Sequence, residues 1–183
     1  MKKLFGYFLL IFLLIAAKPP ETATVKWYTI EQALALNEHA PRKIMVDVFT
    51  DWCGWCKVMD QQTFHDPVIA KILNEKYYPV KFNAETRDTI VFQGRTFVND
   101  GQGTRSAHQL AVAMLNGKLS YPNIVFIDEN NQLITAIPGF RKPEEMEQIL
   151  EYIGQSLYAK NVNFQEYLTT FKHTTTDELK ITR

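Results

Sequence analysis

The chain has 183 residues, 46% of them hydrophobic and 22% charged, which suits a single domain with a proper core. Its 20 basic residues balance 20 acidic ones and form no basic stripe, so nucleic acid is not an expected partner. With a cysteine count of 2, a disulfide framework of the kind that staples small secreted domains is excluded, and the cysteines are free for chemistry.

Met1-Lys2-Lys3 forms a short basic start, and residues 4–17 follow without a charge, which reads as a secretory signal peptide over 1–17. The apolar run is shorter than the roughly 20 residues needed to cross a bilayer, so cleavage is expected near Ala16 or Ala17. Leu14 and Ile15 are larger than the small residues preferred upstream of a cut, and an uncleaved anchor is the alternative. Residues 25–28 can form a first strand. Thr29 with Gln32 is a capping-box pattern for a helix through Leu36 to about His39, which Pro41 ends. Residues 43–49 are almost wholly apolar and rich in β-branched side chains, a pattern that predicts a strand buried on both faces. Asp47 interrupts it. A lone carboxyl there costs desolvation unless it has a use or a partner, and its bland reading is an acid that reaches solvent at the strand edge.

The strand runs into Asp51-Trp52-Cys53-Gly54-Trp55-Cys56-Lys57, which holds both cysteines two residues apart. A C-x-x-C pair can be half of a zinc site, a structural disulfide or a redox dithiol. Residues 57–62 favour a helix and contain no breaker, so Cys53 is expected at a helix N-terminus, where unpaired amides and the helix dipole favour a thiolate. A free thiol titrates near ~8.5, and C-x-x-C cysteines at helix starts commonly fall below that. Cys56, one turn further in, is expected to be more shielded and to act second.

Residues 43–57 resemble the active-site strand, loop and helix of the thioredoxin superfamily. Asp51-Trp52-Cys53, Cys56-Lys57, Thr63-Phe64 and Asp66-Pro67-Val68 extend the likeness to thioredoxin-like domains of secreted and periplasmic bacterial proteins, including the C-terminal domain of transmembrane thiol:disulfide interchange proteins. The resemblance implies an α/β thioredoxin fold over 25–160, with a central mixed β-sheet flanked by helices. It implies a redox-active disulfide between Cys53 and Cys56, with Cys53 as nucleophile, Cys56 as resolving thiol and Asp47 as a buried acid relaying a proton for Cys56. No dissociable cofactor and no metal is implied.

Further along, Asp66 and Pro67 open a helix over 67–76, followed by a strand over 78–82. His65 reads as a loop residue, since two cysteines and a distant histidine make a poor metal site. Residues 84–106 depart from a minimal thioredoxin. They read as an inserted hairpin, 89–92 and 95–98 around Gln93-Gly94, and a flexible loop over 99–103. The insertion is either surface decoration or a flap beside the dithiol that shapes partner choice. Ser106 is expected to cap a helix over 107–116 that leads to Tyr121-Pro122 and a strand over 124–127. The resemblance places Pro122 in cis opposite the dithiol, with the backbone of Tyr121 pairing with a substrate segment. Asn123 stands where many thioredoxins carry threonine. Residues 128–131 form a turn, 132–137 a strand ending near Gly139, and Pro143 opens a helix to about Tyr158. A C-terminal extension over 161–183 adds a short helix near 163–172 and a solvated tail from Thr174.

The expected function is extracytoplasmic thiol:disulfide exchange, probing protein disulfides and dithiols through a groove made by Trp52, Gly54, Trp55, Tyr121 and Pro122. Gly54-Trp55 supplies no cation or hydrogen-bond donor comparable to a histidine to stabilise a Cys53 thiolate, apart from the indole N–H, which favours a reductase over a strong oxidant. A reductase in an oxidising compartment, expected to be the bacterial periplasm, needs an electron donor, and a membrane-embedded partner fits that need. Two rivals stand beside this reading: a partner-binding or chaperone module that uses the groove without turnover, and a metal carrier using the two thiols.

Overall fold

The computed structural model describes residues 24–174, so the leader expected over 1–17 and the tail after Thr174 lie outside the described residues. Helix α1 (Ile30–His39) starts at a complete capping box, with Thr29 accepting from Gln32 N and the Gln32 side chain accepting from Thr29 N. Strand β1 (Lys43–Phe49) follows and is buried along nearly its whole length. Helix α2 (Gly54–Met59) begins just after Cys53 and runs into a π-helical turn, Asp60–Phe64. Helix α3 (Pro67–Lys76) carries Asp66 as its cap, accepting from Val68 N and Ile69 N. Then come β2 (Tyr77–Asn83), the hairpin strands β3 (Ile90–Phe92) and β4 (Arg95–Phe97), α4 (Gln109–Met114), β5 (Asn123–Ile127), β6 (Leu133–Pro138), α5 (Pro143–Gly154) and α6 (Phe164–Thr170).

The central sheet has the order β2-β1-β5-β6, with β1 parallel to β2 and antiparallel to β5, and β5 antiparallel to β6. This is the thioredoxin fold, a mixed sheet with helices on both faces. Side chains alternate along a strand, so β1 feeds two cores. Ile44, Val46 and Val48 join Ile30, Ala33, Leu110 and Ala111 under α1 and α4. Met45 joins Met59, Phe64, Ile69, Leu73 and Leu150 under α2, α3 and α5. The face shared with Met45 is also the face of Asp47.

Four local expectations change. Residues 25–28 make one parallel bridge, Tyr28 to Val80, instead of a strand, because Tyr28 alone reaches Pro79 O and Lys81 N. Ser106 does not cap the helix before Pro122. His108 does, its Nδ1 accepting from Leu110 N, and the helix starts two residues later than expected. The helix from Pro143 stops at Gly154, because Ser156 turns left-handed at φ 54°. Gly154 packs closely there: a Cβ would lie 3.2 Å from the Tyr77 hydroxyl, which donates to Leu150 O and would have to shift by a few tenths of an ångström.

The fourth change concerns the loop over 99–103, which side chains hold in place. Arg87 donates to Asn99 O, Gly101 O, Gly103 O and Ser106 Oγ at 2.7–3.0 Å. Asn99 Nδ2 reaches Glu85 O, Thr86 O and Ser106 O. The hairpin forms as expected, with Gln93 and Gly94 both at positive φ, 51° and 71°. The left-handed glutamine is anchored by its side-chain amide donating to Asn131 O. The excursion also closes on itself: Ala84 N donates to Phe49 O, and Ala84 O accepts from His108 N.

Asn99 is buried, so truncating it strands three carbonyls that now share its amide. Asn99→Ala is expected to cost about 1–3 kcal/mol in urea unfolding, the usual range for orphaning buried polar groups. Hydrogen exchange should accelerate over 85–106 and stay slow in β1 and β5. Uniform acceleration through the sheet would show that the excursion is part of the global folding unit.

Candidate active site

The site is built where β1 ends. Cys53 N donates to Thr50 O in a tight turn, and Cys53 then stands as the N-cap of α2, its Sγ accepting the Cys56 N–H at 3.1 Å. The two cysteines form a disulfide with Cα atoms 5.3 Å apart. Both residues are 5% exposed, so Cys56 is no more shielded than Cys53 in this form. Position separates them instead. Cys53 Sγ caps the helix start through the Cys56 amide, whereas Cys56 lines a cleft of about 150 Å³ with Phe49, Thr50, Asp60 and Lys81.

Asp47 does not reach solvent. It is 1% exposed, and its Oδ2 accepts from Lys81 Nζ at 2.8 Å. The parallel register sets Lys81 of β2 directly beside Asp47 of β1. The same ammonium donates to Asp60 Oδ1 at 2.5 Å, from the π-helical turn after the dithiol helix. Trp27 lies over it, 4.8 Å from ring centre to Nζ, and Phe49 and Phe64 complete an aromatic collar. Burial pushes the Asp47 carboxyl above its ordinary range, and the opposing attraction of Lys81 does not overcome it. Burial alone would lower Lys81, but Asp47 first and Asp60 second raise it on balance, so the ammonium stays charged at neutral pH. Asp47 Oδ1, Thr50 Oγ1 and Asn123 Oδ1 are buried with no hydrogen-bond partner among the described residues, and all three lie at this end of β1 or beside it.

The groove residues also converge here. Tyr121 precedes Pro122 through a cis peptide bond at the start of β5, and Asn123 pairs in register with Val48. The Tyr121 ring meets Trp52 edge-on, with centroids 6.0 Å apart. Trp52 is 50% exposed and Trp55 61%, a large apolar surface on either side of the dithiol, while Pro122 is buried. Gly54 between them is open, and a Cβ there meets nothing within 4 Å. Trp55 packs at 5.6 Å against Phe140, whose loop is held by Thr63 Oγ1 donating to Arg141 O. His65 binds Asp60 O through Nδ1 and stays apart from the cysteines' cleft.

Sequence reading missed Lys81, Asp60, Trp27, Glu85 and Arg105. A usable signal existed for the first: Lys81 is the one charged residue in β2, and Asp47 sits at the matching place in its neighbour. Asp60 and Trp27 depend on the π-helical turn and the N-terminal crossing, which no local pattern reports.

A family model described as a thioredoxin-like domain matches residues 30–154. The thiol:disulfide interchange protein DsbD of Photorhabdus laumondii is 26% identical over 129 residues, covering 69% of this chain and 19% of its own length. The chain thus spans about a fifth of that relative. Among solved structures, a thioredoxin from Thermus thermophilus superposes with a TM-score of 0.53 at 18% identity, covering 82% of this chain and 99% of that one. A DsbH oxidoreductase superposes at 0.52 with 17% identity, covering 82% and 94%.

A raised Asp47 pKa means that the folded chain holds this proton more tightly than the unfolded chain, whose value is near 3.8. The stabilisation from this group is therefore full below that pH, falls as pH climbs through the folded value, and is absent above it. Asp47→Asn removes the loss and leaves Lys81 paired with Asp60. In unfolding of the oxidised protein, the variant should gain on the parent as pH rises from about 4 and then hold a constant advantage. An advantage that shrinks with rising pH would show that the Lys81 attraction outweighs burial.

Proposed function

The chain belongs to the thioredoxin-like domain family, and from that premise we propose that it is an extracytoplasmic thiol:disulfide oxidoreductase that reduces protein disulfides through Cys53 and Cys56. The observation that carries this reading is the Cys53–Cys56 disulfide at the start of α2, with Cys53 Sγ accepting a helix amide and exposed tryptophans on both sides. A sulfur placed there is stabilised as a thiolate by the same helix amide that it caps.

The exchange runs in two displacements. The Cys53 thiolate attacks one sulfur of a partner disulfide, forming a mixed disulfide and releasing the other partner sulfur as a thiolate that takes up a proton. Cys56, once deprotonated, attacks the Cys53 sulfur, closes the Cys53–Cys56 bond and expels the second partner thiol. Two electrons pass from the dithiol to the partner, and a donor dithiol must restore the reduced form. Asp47 accepts the Cys56 proton in the second displacement. Its raised pKa and its link through Lys81 to the cleft that Cys56 lines support this role. Trp52, Gly54, Trp55, Tyr121 and Pro122 form the partner groove.

The reductive direction rests on what surrounds Cys53: among the described residues its sulfur accepts from the Cys56 amide, and Gly54 and Trp55 between the two cysteines carry no charge. Little favours the reduced form specially, so the dithiol gives up electrons readily. The basic start and apolar run over 1–17 support export, and a membrane-embedded donor supplies electrons in an oxidising compartment.

Insulin reduction by the dithiol-charged protein should be lost in Cys53→Ser, whereas Cys56→Ser should accumulate mixed disulfides with partners. The couple should equilibrate near ~-270 mV and far from the ~-120 mV of a strong oxidant. Asp47→Asn should slow closure of the Cys53–Cys56 bond by about 10²-fold, the lower end for a positioned acid or base. First alkylation of Cys56 by limiting iodoacetamide would reverse the assignment of the two thiols.

A further inference from the structure

Three contacts fix the Trp52 ring beside the dithiol. Its Nε1–H donates to Glu85 Oε1 at 2.9 Å, its edge meets Tyr121, and the Arg105 guanidinium lies over its face, 5.1 Å from the ring centre. Glu85 opens the excursion that leaves the fold at Ala84, and Arg105 closes it just before the return at His108. Arg87 and Asn99 cross-link the base between them, so both ends of the excursion are presented to one indole from a fixed frame. Arg87 spends its guanidinium on that frame, and Arg141 spends its own on Phe140 O and Pro138 O. Arg105 differs. It is exposed, and among the described residues it makes the ring contact and no ion pair.

We propose that Arg105 is a specificity-determining residue: stacked on Trp52, it presents an unpaired cation at the mouth of the dithiol groove and selects disulfide partners that carry a carboxylate beside the reacting cysteine. The proposal rests on the oxidoreductase reading above and deepens it by naming the partner chemistry. A guanidinium lying on an aromatic face keeps its N–H groups at the ring's periphery, where a carboxylate can be taken by two parallel hydrogen bonds. Stacking also removes much of the side-chain freedom that weakens an ordinary surface ion pair. Glu85 contacts the same indole without pairing with the guanidinium. Its Oε1 is engaged at the indole N–H edge, and no ion pair joins it to Arg105. A partner segment seated against Trp52 and Tyr121 therefore meets a cation on the side of the excursion.

The test uses disulfide-linked peptide dimers that differ only in the residue flanking cysteine: Glu, Gln or Lys. Reduction by the dithiol-charged full chain is followed by tryptophan fluorescence, and the result is the ratio of second-order rate constants for the Glu and Lys peptides. Any change in absolute rate cancels in that ratio. The ratio is expected at about 2–5 at low ionic strength, the effect of one exposed charge pair, and to shrink as salt shortens the screening length. Arg105→Gln should bring it to about 1, Arg105→Glu should invert it, and Arg105→Lys should keep it above 1. A ratio unchanged in Arg105→Gln overturns the proposal and hands any preference to Lys57, the cation next to Cys56. A ratio of 1 in the parent protein, with the Gln peptide reduced, overturns the proposal alone. Failure to reduce even the Gln peptide overturns the oxidoreductase reading and the proposal with it.

Discussion

A single ammonium allows a carboxyl group to sit inside a central, almost fully buried strand of the sheet. Lys81 Nζ holds Asp47 from the neighbouring strand and Asp60 from the turn after the dithiol helix, beneath the Trp27 ring. An unpaired ion at that depth would carry a penalty of several kcal/mol, so without Lys81 the strand would have to neutralise Asp47 permanently or expose it. The pairing is incomplete, since Asp47 Oδ1 has no partner and burial still outweighs attraction. In the proposed exchange, that imbalance is what would let the group take up and release a proton. A fully satisfied carboxylate would be a structural anion and nothing more.

The same contact ties the active-site helix to the sheet. Asp60 opens the π-helical turn Asp60–Phe64 and gives its carboxylate to Lys81, while Phe64 at the turn's end enters the core beside Trp27. Register matters here because a strand shifted by one residue would send Asp47 to the face occupied by Val46 and Val48. The parallel pairing of Asp47 with Lys81 and the antiparallel pairing of Asp47 with Ile124 fix that register from both sides. The geometry of the site therefore inherits its precision from the middle of the sheet, even though the disulfide lies at the start of α2, past the end of β1.

Much of this was legible in the chain. Periodicity and caps located β1, α1 and α3, because Thr29, Gln32, Asp66 and Pro67 are local signals that act within one helical turn. The dithiol announced itself by the spacing of two cysteines at a strand-to-helix junction. The partner of Asp47 did not, since Lys81 is distant in sequence and becomes a neighbour only through strand pairing. Residues 99–103 looked mobile because glycine, asparagine and aspartate favour loops, yet Arg87 and Asn99 order them by hydrogen bonds to backbone carbonyls that no composition reveals. Likewise Ser106 is a good cap by type, but His108 takes the cap and Ser106 is used by Arg87 and Asn99.

The distribution of roles over the fold follows from these constraints. The groups assigned to electron and proton movement, Cys53, Cys56, Asp47 and Lys81, stand on or directly against the parallel pair β1 and β2, where packing on both faces leaves little freedom. The groups that a partner would touch in the proposed exchange, Trp52, Trp55, Tyr121, Phe140 and Arg105, stand in turns and in the first turn of α2, gathered at one end of that pair. Turns accept substitution and insertion at small cost in closure entropy, and this chain has used that latitude between Ala84 and His108. The excursion begins and ends on the backbone of Ala84, so the strand pairing of the sheet is left as it is, and Ile90 returns to pack on the core that Ile44, Val46 and Val48 share. The added segment can reshape the rim of the groove while the dithiol and its buried carboxyl keep the geometry that β1 gives them.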